Sequence, residues 1–217
     1  MIPKIIHHIW PGYDPYREKF HAWRLSWMRH NSDYTFMFWD MTNMPFNLFT
    51  KLGAELAHSD LITVSKSDLC RYEILYLYGG IYVDTDMECL LSFDALLNTD
   101  SFVGMSWPPD TVINAVLGFK PYHPLLKKII KVVAPSFKKE WEAANDPKRC
   151  YREPEGGMHK IAIDYLSKVT TIHPKEMFYP FFCTHSKEER SKTDLSHSFA
   201  VHHWNGMEPD GWTNAKR

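Results

Sequence analysis

The chain has 217 residues, of which 44% are hydrophobic and 15% are aromatic. This is enough to bury the core of one domain but scarcely enough for two. The formal net charge of −1 at pH 7 provides no overall field that would attract nucleic acid or an anionic membrane surface. We therefore expect one domain over residues 1–217, with a small-molecule or glycan partner and no nucleic-acid partner.

The cysteines and the apolar runs bear on where the protein works. Cys70, Cys89, Cys150 and Cys183 show no CxxC pair and no close Cys/His spacing, so we interpret them as free thiols in a reducing compartment. No apolar run reaches the ~20 residues needed to span a bilayer, and residues 1–30 contain no charged segment followed by a long apolar stretch. The sequence thus predicts no membrane span and a cytoplasmic location.

The first elements in chain order predict an α/β unit. Residues 2–10 are apolar and β-branched and are followed by Pro11-Gly12, as in a buried strand ended by a turn. Residues 15–30 carry three large aromatic side chains at helical spacing, and residues 34–40 alternate as a second strand. A looser helical pattern follows over residues 45–56.

The later elements continue this alternation. A helix is predicted to begin at a cap formed by Ser65 or Ser67 and to end at Gly79-Gly80. Strands are expected over residues 102–105 and 116–119, followed by a helix over residues 123–133, while residues 138–157 are charged and loop-rich with at most a short helix. The pattern predicts a layered α/β domain with a mostly parallel sheet, in which ligands bind at the carboxyl ends of strands.

Two carboxylates, Asp84 and Asp86, follow a short apolar run directly after the glycine pair. In extended backbone, residues two apart point to the same side, so both side chains can converge on one divalent cation and the polyphosphate it carries. A polar turn is the alternative for a bare Asp-x-Asp. The strongly patterned helix before it favours the metal site, and so does the glycine pair, which permits close approach of a ligand.

Asp68 and Arg71 lie three residues apart on the same helix. They form either a surface ion pair worth ~0.2–0.5 kcal/mol or a site in which the carboxylate binds sugar hydroxyls and the guanidinium fork holds oxygens of the donor or the carboxylate nearby. The helix precedes the Asp84 strand directly, which is consistent with both groups lying near one site.

Residues 199–204 read as a strand, so His202 and His203 should point to opposite faces and only one of them can bind the metal. The alternative is a solvated or hydrogen-bonded pair. Trp204 either donates its indole N–H to a phosphate oxygen or lies in the core. Trp10 is either a stacking platform for a base or a buried anchor.

These motifs together resemble the DXD-containing sugar transferases related to the yeast initiating α-1,6-mannosyltransferase and to capsular polysaccharide synthesis enzymes (glycosyltransferase family 32-like). Three segments carry the resemblance: Pro3-Lys4-Ile5-Ile6-His7-His8-Ile9-Trp10; Ser67-Asp68-x-x-Arg71-Tyr72-x-x-Leu75-x-x-Tyr78-Gly79-Gly80-Ile81-Tyr82-Val83-Asp84-Thr85-Asp86; and His202-His203-Trp204. The resemblance implies a GT-A (nucleotide-diphospho-sugar transferase) fold, which is a Rossmann-like, mostly parallel sheet flanked by helices. It also implies a retaining transfer and a requirement for Mn²⁺ or Mg²⁺. Eukaryotic members of this family usually carry a membrane anchor, and none is predicted here, which fits an enzyme in the cytosol of a bacterium or of a virus-infected host.

The resemblance also assigns residues to roles. The catalytic residues are expected to be Asp68, Arg71, Asp84 and Asp86. The residues expected to bind the donor are Ile9, Trp10, Asp68, Arg71, Tyr72, Asp84, Thr85, Asp86 and Trp204. The metal ligands are expected from among Asp84, Asp86, His202 and His203. Asn114 falls where relatives often have an Asn, and Gly156-Gly157 falls where they often have Gly-Pro, so the shape of that loop is expected to differ.

The expected function is transfer of a hexose from a nucleotide-diphosphate sugar to a glycan or glycoconjugate hydroxyl, with a UDP-sugar preferred and GDP-mannose as the alternative. A non-catalytic nucleotide-sugar-binding pseudoenzyme would keep the fold and lose the metal site. A DxD phosphatase of the haloacid dehalogenase type is the lesser alternative. Such enzymes carry their motif on the first strand and need Thr or Val where this chain has Glu88.

Overall fold

The computed structural model of the chain describes residues 1–10, 18–40, 42–44, 63–107, 111–143 and 158–204. The predicted helical segment at residues 45–56, the loop at residues 144–157 with its glycine pair, and Cys150 lie outside these residues. The expectation of a single domain over residues 1–217 also extends beyond them and remains a prediction.

The described residues form eight strands and six α-helices. The strands are β1 (Ile5–Ile9), β2 (Thr35–Trp39), β3 (Gly80–Val83), β4 (Met87–Cys89), β5 (Ser101–Met105), β6 (Val112–Phe119), β7 (Thr171–His173) and β8 (Ala200–His202). The helices are α1 (Glu18–His30), α2 (Thr63–Tyr78), α3 (Pro124–Ala143), α4 (Met158–Leu166), α5 (Lys175–Phe178) and α6 (Lys187–Ser191), and a 3₁₀ helix covers Phe93–Leu96.

Six strands form the main sheet, in the order β2-β1-β3-β6-β5-β7. Three of the strand pairs are parallel (β1–β2, β1–β3 and β5–β7), and β6 runs antiparallel to both of its neighbours. The carboxyl end of β3 therefore lies beside the amino end of β6. Strands β4 and β8 form a separate two-stranded antiparallel sheet. The predicted α/β, mostly parallel architecture is confirmed.

Side chains alternate between two hydrophobic clusters along the central strand β3. Tyr82 belongs to the cluster that contains residues of α2, α3 and α4. Ile81 and Val83 belong to the cluster that contains residues of α1, β4 and β8. Because residues two apart share a face of a sheet, Asp84 continues the face of Tyr82, toward helix α2.

The end of α2 is set by its glycines, as predicted. Gly79 has a φ of +63°, in the left-handed region that ends a helix, and Gly80 has a φ of +96°. A Cβ atom on Gly80 would lie 2.6 Å from the Ile5 carbonyl oxygen, so its absence lets β3 pair closely with β1. His7 of β1 also contacts the Gly79 carbonyl oxygen through its Nε2 atom, at 2.8 Å. The start of β3 is therefore tied to both α2 and β1.

Three details differ from expectation. Ser67 lies inside α2, which begins at Thr63, so it does not cap this helix; its carbonyl oxygen accepts a hydrogen bond from Arg71 Nε instead. Helix α3 continues to Ala143 because its amphipathic pattern extends past the predicted end at residue 133. Strand β6 begins four residues earlier than expected, at Val112.

The predictions of free thiols and of no membrane span can be compared with the structure. In the part of the chain that the structure describes, no disulfide involves Cys70, Cys89 or Cys183. None of the described helices is long and apolar enough to cross a membrane.

Candidate active site

The Asp84-Thr85-Asp86 segment forms a turn at the carboxyl end of β3. Strand β3 ends at Val83, and the Met87 N–H donates to the Asp84 carbonyl oxygen at 3.2 Å, which closes a four-residue turn. The Asp84 N–H donates to the Ala115 carbonyl oxygen of β6 at 2.9 Å. The two carboxylates therefore converge because the chain turns. Our expectation that extended backbone aligns them was wrong in this respect.

Asp84, Asp86 and His202 lie together, and we call them the acidic cluster. Each offers one ligand atom, and these atoms all lie within 4.8 Å of one another. His202 Nε2 is 3.1 Å from Asp86 Oδ1 and 3.9 Å from Asp84 Oδ2. His202 reaches the turn because β8 pairs with β4, with Met87 opposite His202. The predicted grouping of both aspartates with one of the two histidines is thus present.

The acidic cluster fits a divalent cation of the Mn²⁺ type, for which carboxylate and imidazole are suitable ligands. Burial raises the pKa of Asp84, and the Asp86 charge raises it further. Burial lowers the pKa of His202, but the charge and hydrogen bond of Asp86 outweigh burial and the pKa is raised overall. His202 Nδ1 is buried and has no hydrogen-bond partner in the part of the chain that the structure describes. The cluster thus combines crowded negative charge with an incompletely bonded imidazole, and a cation would relieve the crowding.

His203 faces away from the acidic cluster. Its Nε2 lies 3.0 Å from Glu88 Oε2, and its ring stacks on Trp23 with centroids 4.4 Å apart and planes at 8°. The predicted opposition of the two histidines explains this, because neighbouring strand residues point to opposite sides. The structure does not bring His203 into the group that could bind a metal.

Asp68, Arg71 and Asn114 form a second group, which we call the arginine cluster. Arg71 NH2 lies 2.7 Å from Asp68 Oδ1, and Arg71 NH1 donates to the Asn114 carbonyl oxygen at 2.7 Å. Asn114 Nδ2 donates to Asp68 Oδ1 at 3.0 Å and to the Tyr72 hydroxyl at 3.1 Å. The Arg71 side chain is only 3% exposed, so the alternative of a surface ion pair was wrong.

Arg71 also joins the two clusters. Its NH1 lies 3.3 Å from Asp84 Oδ1, and that oxygen accepts a hydrogen bond from the Tyr82 hydroxyl at 2.6 Å. The guanidinium lies over the Tyr82 ring, 4.4 Å from its centroid. Burial alone would lower the pKa of Arg71, but the neighbouring Tyr82, Asp68 and Asp84 raise it overall. The guanidinium therefore stays charged between the two clusters.

The remaining residues expected at the donor site are all largely buried. Ile9 and Trp10 end strand β1, where Ile9 packs in the core and Trp10 contacts the edge of Phe20 with ring centroids 5.3 Å apart. Thr85 is buried in the turn. Tyr72 contacts the arginine cluster through Asn114.

Of the two alternatives for Trp204, the structure has the core position. Its indole N–H donates to the Phe181 carbonyl oxygen at 3.0 Å and is therefore not directed at a phosphate oxygen. Its ring lies against His202, with centroids 4.2 Å apart. Trp204 thus borders the acidic cluster. Its backbone has a φ of +55°, in the left-handed region.

Sequence reasoning did not give roles to three residues that the structure places here. Tyr82 lies two residues before Asp84, and the same period of two could have indicated that the two side chains meet. Asn114 is a polar residue in the otherwise apolar strand β6, which is also a usable signal. Tyr179 contacts His202, with ring centroids 6.0 Å apart, and no local pattern indicates it.

Residues 18–103 match the family model described as "Glycosyltransferase sugar-binding region containing DXD motif". This region contains Asp68, Arg71, Asp84 and Asp86. The resemblance to DXD-containing sugar transferases is confirmed. The matched region leaves out His202, which lies in the last described strand.

Two curated proteins are similar to this chain over its larger part. Inositol phosphoceramide mannosyltransferase 3 of Schizosaccharomyces pombe is 33% identical over 132 residues, which cover 60% of this chain and 36% of that protein. An uncharacterized glycosyltransferase of Acanthamoeba polyphaga mimivirus is 32% identical over 138 residues, which cover 60% of this chain and 55% of that protein. The chain therefore spans roughly a third to a half of these relatives.

The solved structure of PaToxG glycosyltransferase has a similar fold. The TM-score is 0.54 at 16% identity, over 77% of this chain and 69% of that chain. A likeness at this identity bears on the fold alone, and the predicted GT-A fold is confirmed.

Proposed function

We propose that this chain is a metal-dependent, retaining glycosyltransferase that moves a hexose from a nucleotide-diphosphate sugar to a hydroxyl of a glycan or glycoconjugate. One observation carries the proposal: the acidic cluster and the arginine cluster adjoin through Arg71, 3.3 Å from Asp84, at the carboxyl end of β3 in a GT-A fold. Ligands of open α/β sheets bind at this edge.

In the proposed complex, Asp84, Asp86 and His202 hold Mn²⁺ or Mg²⁺. A divalent cation bound to a diphosphate stabilises the negative charge that develops as the diphosphate leaves. The fit is supported by the three ligand atoms within 4.8 Å and by the raised pKa of the half-buried Asp84 carboxyl.

The arginine cluster would bind the donor sugar. Asp68 would accept hydrogen bonds from sugar hydroxyls. The N–H groups of Arg71 are directed at Ser67, Asn114, Asp68 and Asp84, so Arg71 would hold these carboxylates in place before the donor arrives. Trp10 is proposed beside the base, since it ends strand β1 at the same edge of the sheet. Ile9, Tyr72, Thr85 and Trp204 would complete the walls of the donor site.

For the transfer itself, we propose attack on the face of the sugar that the diphosphate leaves. The bond from the anomeric carbon to the diphosphate breaks, the bond to the acceptor oxygen forms, and the acceptor proton passes to the departing diphosphate. The transition state has oxocarbenium character, so the route needs no separate catalytic base among the side chains.

The relatives suggest which donors to test first. The fission yeast relative is named as a mannosyltransferase that acts on inositol phosphoceramide, which raises the priority of GDP-mannose beside the UDP-sugars. A glycoconjugate acceptor remains part of the proposal, as does a cytoplasmic location.

A screen of UDP- and GDP-sugars tests this proposal, each with Mn²⁺, Mg²⁺ or EDTA. We expect one donor class to raise the unfolding temperature only when metal is present, and to release nucleoside diphosphate slowly by hydrolysis. A chain that neither binds nor hydrolyses any of these donors, with or without metal, would contradict the proposed function. Binding without hydrolysis or transfer would favour the pseudoenzyme.

A matched pair of variants makes the screen specific. Asp86→Asn should abolish metal-dependent turnover and weaken Mn²⁺ binding measured by titration calorimetry. Asp164→Asn, which makes the same chemical change at an exposed position of α4, should leave both unchanged. Equal turnover in the two variants would exclude Asp86 as a metal ligand.

A further inference from the structure

The irregular register of strand β6 puts Asn114 in the arginine cluster. Val103 of β5 pairs with Leu117 of β6, but the next residue, Gly104, pairs with Ile113. Residues 114–116 therefore bulge opposite a single peptide of β5. Bulges of this kind redirect side chains and leave backbone groups without a ladder partner.

Tyr179 supplies the partner that this bulge lacks. The Val116 N–H donates to the Tyr179 hydroxyl at 3.0 Å, and Tyr179 is completely buried. A buried backbone N–H without a hydrogen-bond partner would destabilise this arrangement, because the group would lose its hydrogen bond to water and gain none in exchange. The hydroxyl therefore holds the bulge at Val116, which is two residues after Asn114 in the chain.

Other contacts also hold Tyr179 in place. The backbone carbonyl oxygen of Tyr179 accepts a hydrogen bond from Trp107 Nε1 at 2.8 Å. The Tyr179 ring contacts the rings of His202 and Trp204, with centroids 6.0 and 6.3 Å apart. The ring fits because position 104 is glycine: a Cβ atom there would lie 2.6 Å from Tyr179 Cε2. Tyr179 thus lies between the bulge and the acidic cluster.

We infer that Tyr179 is a positioning residue for the donor sugar, which acts through Asn114. Its hydroxyl holds the β6 bulge so that the Asn114 carbonyl orients Arg71 and the Asn114 amide orients Asp68. This inference rests on the proposed function, because Asp68 is the group proposed to bind the sugar and Arg71 is the group proposed to hold Asp68 in place. Tyr179 itself touches neither the sugar nor the diphosphate in this arrangement.

Tyr179→Phe tests the inference, because it removes the hydroxyl and keeps the ring. The matched control is Tyr34→Phe, which removes a hydroxyl bonded to Asp94 at 2.9 Å, outside both clusters. We expect Tyr179→Phe to lower kcat/KM for the nucleotide sugar about tenfold, because small misplacements of binding groups have effects of this order. Its affinity for the bare nucleoside diphosphate with Mn²⁺ should stay within about twofold of wild type, as should both quantities in Tyr34→Phe.

A double-mutant cycle separates positioning from a general loss of packing. If Tyr179 acts through Asn114, then Tyr179→Phe should cause a smaller fold-loss in an Asn114→Ala background than in wild type, because the contact of the Asn114 amide with Asp68 is already gone and only the carbonyl contact with Arg71 remains to be displaced. Equal fold-losses in the two backgrounds would overturn the inference, as would wild-type kcat/KM in Tyr179→Phe or an equal loss in Tyr34→Phe.

A measurement without ligand keeps this test apart from that of the proposed function. In nuclear magnetic resonance spectra, Tyr179→Phe should shift the Asn114 side-chain amide signals and speed hydrogen exchange at the Val116 amide. Unchanged signals and exchange would overturn the inference even if the enzyme is active. A failure of the wild type to bind or turn over any donor would instead contradict the proposed function.

Discussion

The two clusters of the candidate site differ in how complete they are without a ligand. In the arginine cluster, each charged group already has protein partners: Arg71 contacts Asp68 at 2.7 Å, Asp84 at 3.3 Å and the Asn114 carbonyl oxygen at 2.7 Å. In the acidic cluster, two carboxylates share one turn, and His202 Nδ1 has no hydrogen-bond partner among the described residues. We therefore expect the arginine cluster to act as part of the folded core and the acidic cluster to be completed by the proposed cation.

The largest expected effect comes from breaking the arginine cluster. Arg71→Met should lower the free energy of unfolding in EDTA by about 3–5 kcal/mol, because Asp68 would be left without its buried counter-charge. Urea unfolding measures this, with Arg29→Met at an exposed position of α1 as the control. A loss no larger than that of the control would show that the cluster does not stabilise the fold.

Arg71→Lys keeps the charge but should still lower turnover on the order of 10²–10³-fold, because an ammonium lacks the guanidinium fork.

Breaking the acidic cluster should lower stability mainly when metal is present, whereas breaking the arginine cluster should lower it without metal. Wild-type protein with Mn²⁺ at 100 times its dissociation constant should gain about 2.7 kcal/mol of stability, and Asp86→Asn should lose most of that gain. In EDTA, the variant should stay within about 1 kcal/mol of wild type, because the change also removes the repulsion of Asp84 by Asp86. Thermal unfolding with and without metal distinguishes the two conditions. A large destabilisation in EDTA would contradict the difference between the clusters.

A smaller effect concerns His7, which contacts the carboxyl-terminal end of helix α2. This helix carries Asp68 and Arg71. His7 Nδ1 accepts a hydrogen bond from the Trp39 indole N–H at 3.1 Å, so its Nε2 must carry the proton donated to the Gly79 carbonyl oxygen. Burial lowers the pKa of His7 from 6.5 to about 4. The pKa of His7 is lower in the folded protein than in the unfolded chain. The free energy of unfolding that depends on neutral His7 is therefore fully present above pH 6.5 and declines as the pH falls toward 4. The loss between pH 7 and pH 5 should be about 2 kcal/mol.

His7→Gln isolates this contribution, because glutamine offers one acceptor and one donor and does not titrate. Urea unfolding of both proteins from pH 7 to pH 5 should show a flatter decline in the variant by about 2 kcal/mol. His8, whose pKa burial lowers to about 3, is present in both proteins and cancels. Parallel declines would show that His7 is not the group responsible.

The smallest expected effect distinguishes the two adjacent histidines. His203→Gln should leave the affinity for Mn²⁺ within about twofold of wild type, because its imidazole contacts Glu88 and Trp23. His202→Gln should weaken it at least about tenfold, as expected for loss of a ligand. Titration calorimetry with Mn²⁺ alone measures both. Similar losses in the two variants would place His203 among the ligands as well.

Local pattern was sufficient for the parts of the site that lie close together in sequence. The glycine pair predicted the end of α2, and the spacing of Asp68 and Arg71 predicted a shared helix face. The period of two in strands predicted that His202 and His203 diverge. Each of these rests on backbone geometry within a few residues, which a sequence encodes directly.

The parts that sequence did not predict depend on contacts between distant segments. Which histidine faces the aspartates depends on the pairing of β4 with β8. The place of Asn114 depends on a bulge whose register is set by neighbouring strands. The part played by Tyr179 depends on a hydroxyl 63 positions from the amide it bonds. No short-range periodicity reports such contacts, because they arise only when the sheet assembles.

The pairing of β4 with β8 also has a consequence for synthesis of the chain. Asp86 and His202 are 116 positions apart, and the strand that brings them together is the last one described. All members of the arginine cluster have been synthesised once Asn114 emerges from the ribosome, but the Tyr179 hydroxyl that bonds the neighbouring bulge follows later. His202 follows later still, so the proposed cation could meet all three of its ligands only after that residue has emerged.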